Sequence, residues 1–183
     1  MLLYIIMRKN VFLFLMILGT TLSFAQTKGE TKTVIQPNIV KMLTEHGHLH
    51  KKEYYSVYKE ASYEHKVMIV TDAISNSKYG CLQIVTYKNN IGILELFEID
   101  NFVKALTFIK DKVLNTTPTT ETTYEYKSLH GVEISLWWNQ DQWKCIISTS
   151  TRAAGYYLDG AIHIENIITS LQEAKALIVE KIK

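Results

Sequence analysis

The chain has 183 residues, with 20 Lys and Arg against 18 Asp and Glu, and 47% of it is apolar. That length suits one domain with its own core. A charge this close to balance leaves no electrostatic footprint for nucleic acid and argues against a polybasic membrane patch.

The first segment has the order of a secretory signal. Arg8 and Lys9 precede the apolar run "VFLFLMILG", and Ser23 and Ala25 supply the small residues before a cut. The run is shorter than the ~20 residues a membrane span needs. The pattern predicts residues 1–25 as a signal peptide, with Met1 and Met7 as alternative starts, and no membrane span after its removal. Arg8 and Lys9 leave with it, so 18 basic residues then face 18 acidic ones. An exported chain, periplasmic or secreted, meets an oxidising compartment in which a disulfide can form. Residues 26–35, Thr- and Lys-rich, are expected to be a disordered leader.

From residue 36 to 183 the pattern is that of a single α+β domain. "QPNIVKMLTEHG" reads as a short helix, with Pro37 at its first turn and Gly47 at its stop. The runs "KEYYSVYKEA", "HKVMIVTD", "YGCLQIVTY" and "IGILELFE" are β-branched and aromatic, as strands are. A helix follows over "IDNFVKALTFIKDKVLN", with Asp100 as its expected N-cap and Phe102, Leu106, Ile109 and Val113 as its buried stripe. After the linker "TTPTTETT" the order repeats, with strands at "TYEYKS", "GVEISLWWN", "WKCIISTS" and "GYYLDG". A closing helix carries Ile164, Ile167, Ile168, Leu171, Ala174, Ile178 and Ile182 at helical spacing.

Three anchors recur at nearly one offset. His65 pairs with His130, Cys81 with Cys145, and "EIDNFVKAL" with "HIENIITSL". The expectation is a tandem-duplicated ββββα unit, with pseudo-repeats at 53–114 and 122–183. Its sheet is mostly antiparallel, with two long helices packed on it and a short N-terminal helix in front.

Three places carry candidate chemistry. In "EHGHLH", His46, His48 and His50 would converge on a divalent metal if the segment is extended, because alternate side chains share a face. The alternative is a helix end followed by a strand start, where histidine suits the helix dipole. Cys81 and Cys145 are a possible disulfide or two buried free thiols. In "SLWWNQDQW", Val132, Ile134, Leu136 and Trp138 alternate onto a core face, which turns Trp137 outward. Trp137, Trp143 and Asn139 would then suit a ligand surface of rigid aromatics and polar rims. The competing reading packs a tryptophan across the hairpin against Trp143.

No nucleophile elbow, P-loop or dinucleotide fingerprint is present, and no carboxylate pair stands out as an acid/base couple. The functional expectation is an exported, non-enzymatic binding or accessory domain for a protein, peptide or glycan, without a cofactor. The alternative is a metal-binding protein or metal-dependent hydrolase built on His46, His48 and His50.

Overall fold

A computed structural model describes residues 38–44, 47, 49–86, 89–149 and 155–183. The elements, in chain order, are α1 (Asn38–Thr44), β1 (His50–Glu60), β2 (Tyr63–Asp72), β3 (Lys78–Thr86) and β4 (Asn90–Leu94). Then come α2 (Leu96–Phe108), a π-helical turn (Ile109–Val113), β5 (Thr123–Lys127), β6 (Val132–Asn139), β7 (Gln142–Thr149), β8 (Gly155–Leu158) and α3 (Gly160–Ile182). The chain is mixed α+β. Two four-stranded sheets, ordered β1-β2-β3-β4 and β5-β6-β7-β8, are antiparallel throughout. Among the described residues no helix is long and apolar enough to cross a membrane.

The sheets share a register that can be followed row by row. Tyr55, Val67, Leu82 and Leu94 are successive cross-strand partners in the first sheet. Tyr124, Leu136, Cys145 and Leu158 are successive partners in the second. Each row ends one residue before the acid that precedes a helix, Glu95 or Asp159. The next inward-facing rows set Gly92, Ile84 and His65 against Tyr156, Ile147 and Ile134. The register therefore corrects two of the sequence matches. Cys145 stands where the first sheet has Leu82, not Cys81, and His65 corresponds to Ile134, not His130. His130 lies before β6 and bridges Ile93 of β4. Both errors come from matching residue identity between strands whose loops differ in length.

The sheets meet at β4. The Ile93 amide donates to the His130 carbonyl at 3.3 Å, and the buried Thr86 and Thr149 hydroxyls hydrogen-bond at 2.9 Å. Gly92 is required by this contact. A Cβ there would sit 2.5 Å from Val132 Cγ2 and 2.9 Å from Thr149 Cγ2, closer than packed atoms approach.

α3 leans on the sheet of the other half, while α2 packs on β3 and β4 of its own half and reaches the second sheet through its rings. α3 lies over the first sheet, where its Ser170 hydroxyl meets His65 Nδ1 at 2.7 Å and its Ile178 sits over Gly80. α2 turns rings toward the second sheet, Phe102 against Tyr126 at 5.5 Å and Phe108 against Tyr124 at 6.3 Å. The helices are joined by ion pairs, Lys175 with Asp100 at 2.6 Å and Lys110 with Glu165. The result is one main core of both inner sheet faces and both helix stripes. Each Leu, Ile or Phe in it contributes about 1.5–3 kcal/mol by leaving water.

All four residues of the expected α2 stripe are buried, as are the α3 positions from Ile164 to Ile178. The start of α2 differs from expectation. Glu95, not Asp100, precedes the helix, and the Glu98 carboxylate accepts the Glu95 amide at 3.0 Å. "LFE" reads as strand by composition, but two carboxylates three residues apart are the stronger helix-start signal. Asp100 is exposed inside the helix and pairs with Lys175 instead.

The outer face of the first sheet is also covered. Ile39 and Met42 of α1 pack on Met68, Val70 and Cys81 in a second, smaller cluster. β2 consequently buries residues on both faces, and its half "VMIV" is unbroken apolar sequence.

Candidate functional site

The residues between β6 and β7 form a two-residue hairpin turn. Gln140 (φ 47°) and Asp141 (φ 67°) are both left-handed, the backbone that matches the twist of paired strands. This turn sets Trp138 directly opposite Trp143. Their rings meet at 5.3 Å and 70°, edge to face. Both point to the inner side of the sheet with Leu136 and Cys145. Trp143 packs against the edge of the main core and Trp138 lies beyond it, and both are half-buried.

Two other segments close around this corner. After the π turn, Thr116 ends the helix by donating its amide and hydroxyl to the Val113 carbonyl, at 2.9 and 2.7 Å. The Thr116 carbonyl in turn accepts Trp143 Nε1–H at 2.9 Å, which fixes the indole. On the other side Asp159 precedes α3. Its side chain makes no capping hydrogen bond; its amide donates to His163 Nδ1 at 3.0 Å. The three segments, residues 114–117, the hairpin and the start of α3, enclose a cleft of about 540 Å³. It is lined by the two tryptophans, Leu114, Asn115, Gln142, Asp141 and Asp159, among others. The lining is more polar than apolar and the cleft is open to solvent, so what it offers a ligand is two aromatic rings with polar groups around them.

The expected ligand residues are divided by the structure. Trp143 lines the cleft. Trp137 lies on the opposite face of the sheet, edge-on to exposed Tyr157 at 6.5 Å. Asn139 is exposed at the start of the turn and does not line the cleft. Trp138 is the residue that sequence reasoning assigned to the core. Alternation correctly gave its face, but nothing local shows that the core stops short of it.

His46 and His48 lie outside the described residues. His50 is half-buried and begins β1. Among the described residues no three His, Cys, Asp or Glu side chains are grouped to hold a metal. Cys81 and Cys145 are free and buried, on clusters separated by the first sheet, Cys81 under α1 and Cys145 in the main core. Burial pushes each thiol up to about 12, so neither is a ready thiolate near neutral pH.

The remaining polar clusters serve the fold. His65 is fully buried, and burial pushes it down to about 3, so it stays neutral. Ser170 donates its hydroxyl to the Ile167 carbonyl at 2.9 Å. Its oxygen then accepts His65 Nδ1–H, which leaves Nε2 to accept the Tyr63 hydroxyl at 2.6 Å. Every group in this chain is satisfied without solvent, as a buried network must be. Nearby, Tyr156 and Tyr58 donate to the Glu60 carboxylate and hold it below the ordinary carboxylate range, and His163 Nε2 faces it at 3.4 Å. Buried Glu98 accepts the amides of Glu95 and Leu129, tying α2 to the loop before β6. A second cavity, about 280 Å³, lies between α1, β3 and the ends of α2 and α3, with Glu95 at its wall. Burial pushes that carboxyl up, and it accepts the Ile39 amide at 3.2 Å.

No protein-family model matches the chain, and no curated protein matches it.

Proposed function

We propose that this chain is an exported, non-enzymatic binding or accessory module, and that the cleft at Trp138 and Trp143 receives its ligand. The observation that carries this reading is the cleft itself. Two half-buried indoles are held at a fixed angle, one of them anchored through its N–H, where three chain segments converge. Their neighbours on the same sheet face, Leu136 and Cys145, are buried, whereas Trp138 and Trp143 each keep part of their surface open. Large rigid aromatics that keep one side open are the usual anchors of recognition. The occupant is a small molecule, or the end of a peptide, protein side chain or glycan. Export rests on the signal pattern of residues 1–25.

The test uses the three indole N–H resonances, assigned by single Trp→Phe changes. Choline, acetate and maltotriose are titrated in turn. Movement of the Trp138 and Trp143 signals with Trp137 still is the expected result for at least one probe. No movement at either with any of the three would overturn the reading.

The architecture is best understood as a tandem duplication of a ββββα unit. Support comes from the two matching rows that run from tyrosine to leucine, and from Thr86 and Thr149. These occupy equivalent ends of β3 and β7 and touch each other, as residues beside a local twofold axis do. The packing of α3 on the first sheet fits this history, since the helix of one unit then completes the core of the other.

A further inference from the structure

The cleft carries information about charge as well as shape. Asp141 and Asp159 line it, and among the described residues no Lys or Arg does. Among the described residues neither carboxylate has a cationic partner, whereas Asp100, Glu53, Glu64, Glu133 and Glu165 all do. The Asp159 carboxylate is not used to cap α3. Its charge offsets the positive end of that helix. Asp141 is a second negative charge, and no Lys or Arg of the described residues pairs with it. The adjoining indole faces carry the negative side of the ring quadrupole.

We infer that the cleft selects an organic cation, an alkylammonium or guanidinium group, seated in the Trp138–Trp143 corner and balanced by Asp141 and Asp159. This rests on the reading of the cleft as the ligand site and adds the class of ligand. An anion is disfavoured, because Asp141 and Asp159 line the cleft and no Lys or Arg among the described residues does. A neutral sugar could stack on the indoles but would leave both charges unanswered. A cation satisfies both features at once, because the half-buried indoles and the exposed carboxylates both attract it. The volume admits a small amine or one long side chain, not a folded partner.

The experiment compares choline with 3,3-dimethylbutan-1-ol, its neutral carbon isostere, by tryptophan fluorescence and the indole resonances at low salt. A blocked tripeptide with a central lysine is titrated in parallel. Choline or the peptide is expected to bind about tenfold or more tightly than the isostere. Asp141→Asn with Asp159→Asn should erase that preference while leaving the fold intact, since both residues are exposed. Tighter binding of the peptide would identify a partner's side chain as the source of the cation, and tighter binding of choline a free amine. Equal binding of choline and isostere at the indoles, or a preference untouched by the double change, would overturn the cation assignment while keeping the cleft. If no probe, maltotriose included, moves Trp138 or Trp143, the cleft reading itself fails.

Discussion

The two sheets have the same strand order and matching inner rows, yet their outer faces differ. In the first sheet the outer row is Tyr54, Met68 and Cys81, and α1 covers the last two. In the second, the equivalent row is Thr123, Trp137 and Lys144, and none of the three is buried. An apolar thiol at one position and a lysine at its counterpart are what a covered and an uncovered face require. One short helix is therefore enough to change the chemistry that a whole sheet face tolerates. The second sheet, with only one face committed to the core, is free to extend its hairpin and form the cleft.

The largest expected effect separates the faces directly. Met68→Lys places a charge in the cluster under α1 and should cost about 3 kcal/mol or more. Trp137→Lys, at the equivalent outer position, should cost about 1 kcal/mol or less. Urea unfolding of both variants measures this. Equal losses would mean the outer face of the second sheet is covered too.

The inner rows differ in a titratable group, since His65 stands where the second sheet has Ile134. Its value falls from 6.5 to about 3 on folding, so below pH 6.5 the unfolded chain binds a proton that the folded chain refuses. The stability it allows is complete above pH 6.5 and is lost as pH falls from there toward 3, at up to about 1.4 kcal/mol per unit. His65→Leu should flatten the dependence between pH 7 and 5, with Ile134→Val leaving its slope unchanged. A variant slope as steep as that of the parent would remove His65 as the cause.

The contact between the halves gives a smaller effect. Thr86→Val should cost about 1 kcal/mol by depriving Thr149 of one hydroxyl partner, and adding Thr149→Val should cost less than that change made alone. Strict additivity would mean the two hydroxyls contribute independently. A similar effect is expected of Cys145→Leu, which makes the second row match the first. It should cost about 1–3 kcal/mol, because a larger side chain must be fitted into a packed core. A loss above about 3 kcal/mol would show that the two positions differ in the room they offer.

Much of this fold was legible in advance because it depends on local rules. Alternation in "VEISL" and the stripe Phe102, Leu106, Ile109 and Val113 identify buried faces without any knowledge of what lies opposite. The start of α2 was missed because "LFE" satisfies strand composition while Glu95 and Glu98 act through hydrogen bonds that only a helix makes. The cleft was half legible. Trp143 stood out, but Trp138 and Asp159 are some 20 residues apart in the chain and meet only when α3 docks.

The chain by itself determined eight strands, the helix stripes and the repeated order of elements. These follow from side-chain period, backbone preference and turn chemistry, all of which act over a few residues. The tertiary structure decided which half each helix covers, that Cys145 answers to Leu82, that Cys81 and Cys145 sit in separate clusters, and that the core ends before Trp138. Those outcomes depend on how far opposing surfaces extend when they pack, a long-range property that no short stretch of sequence records.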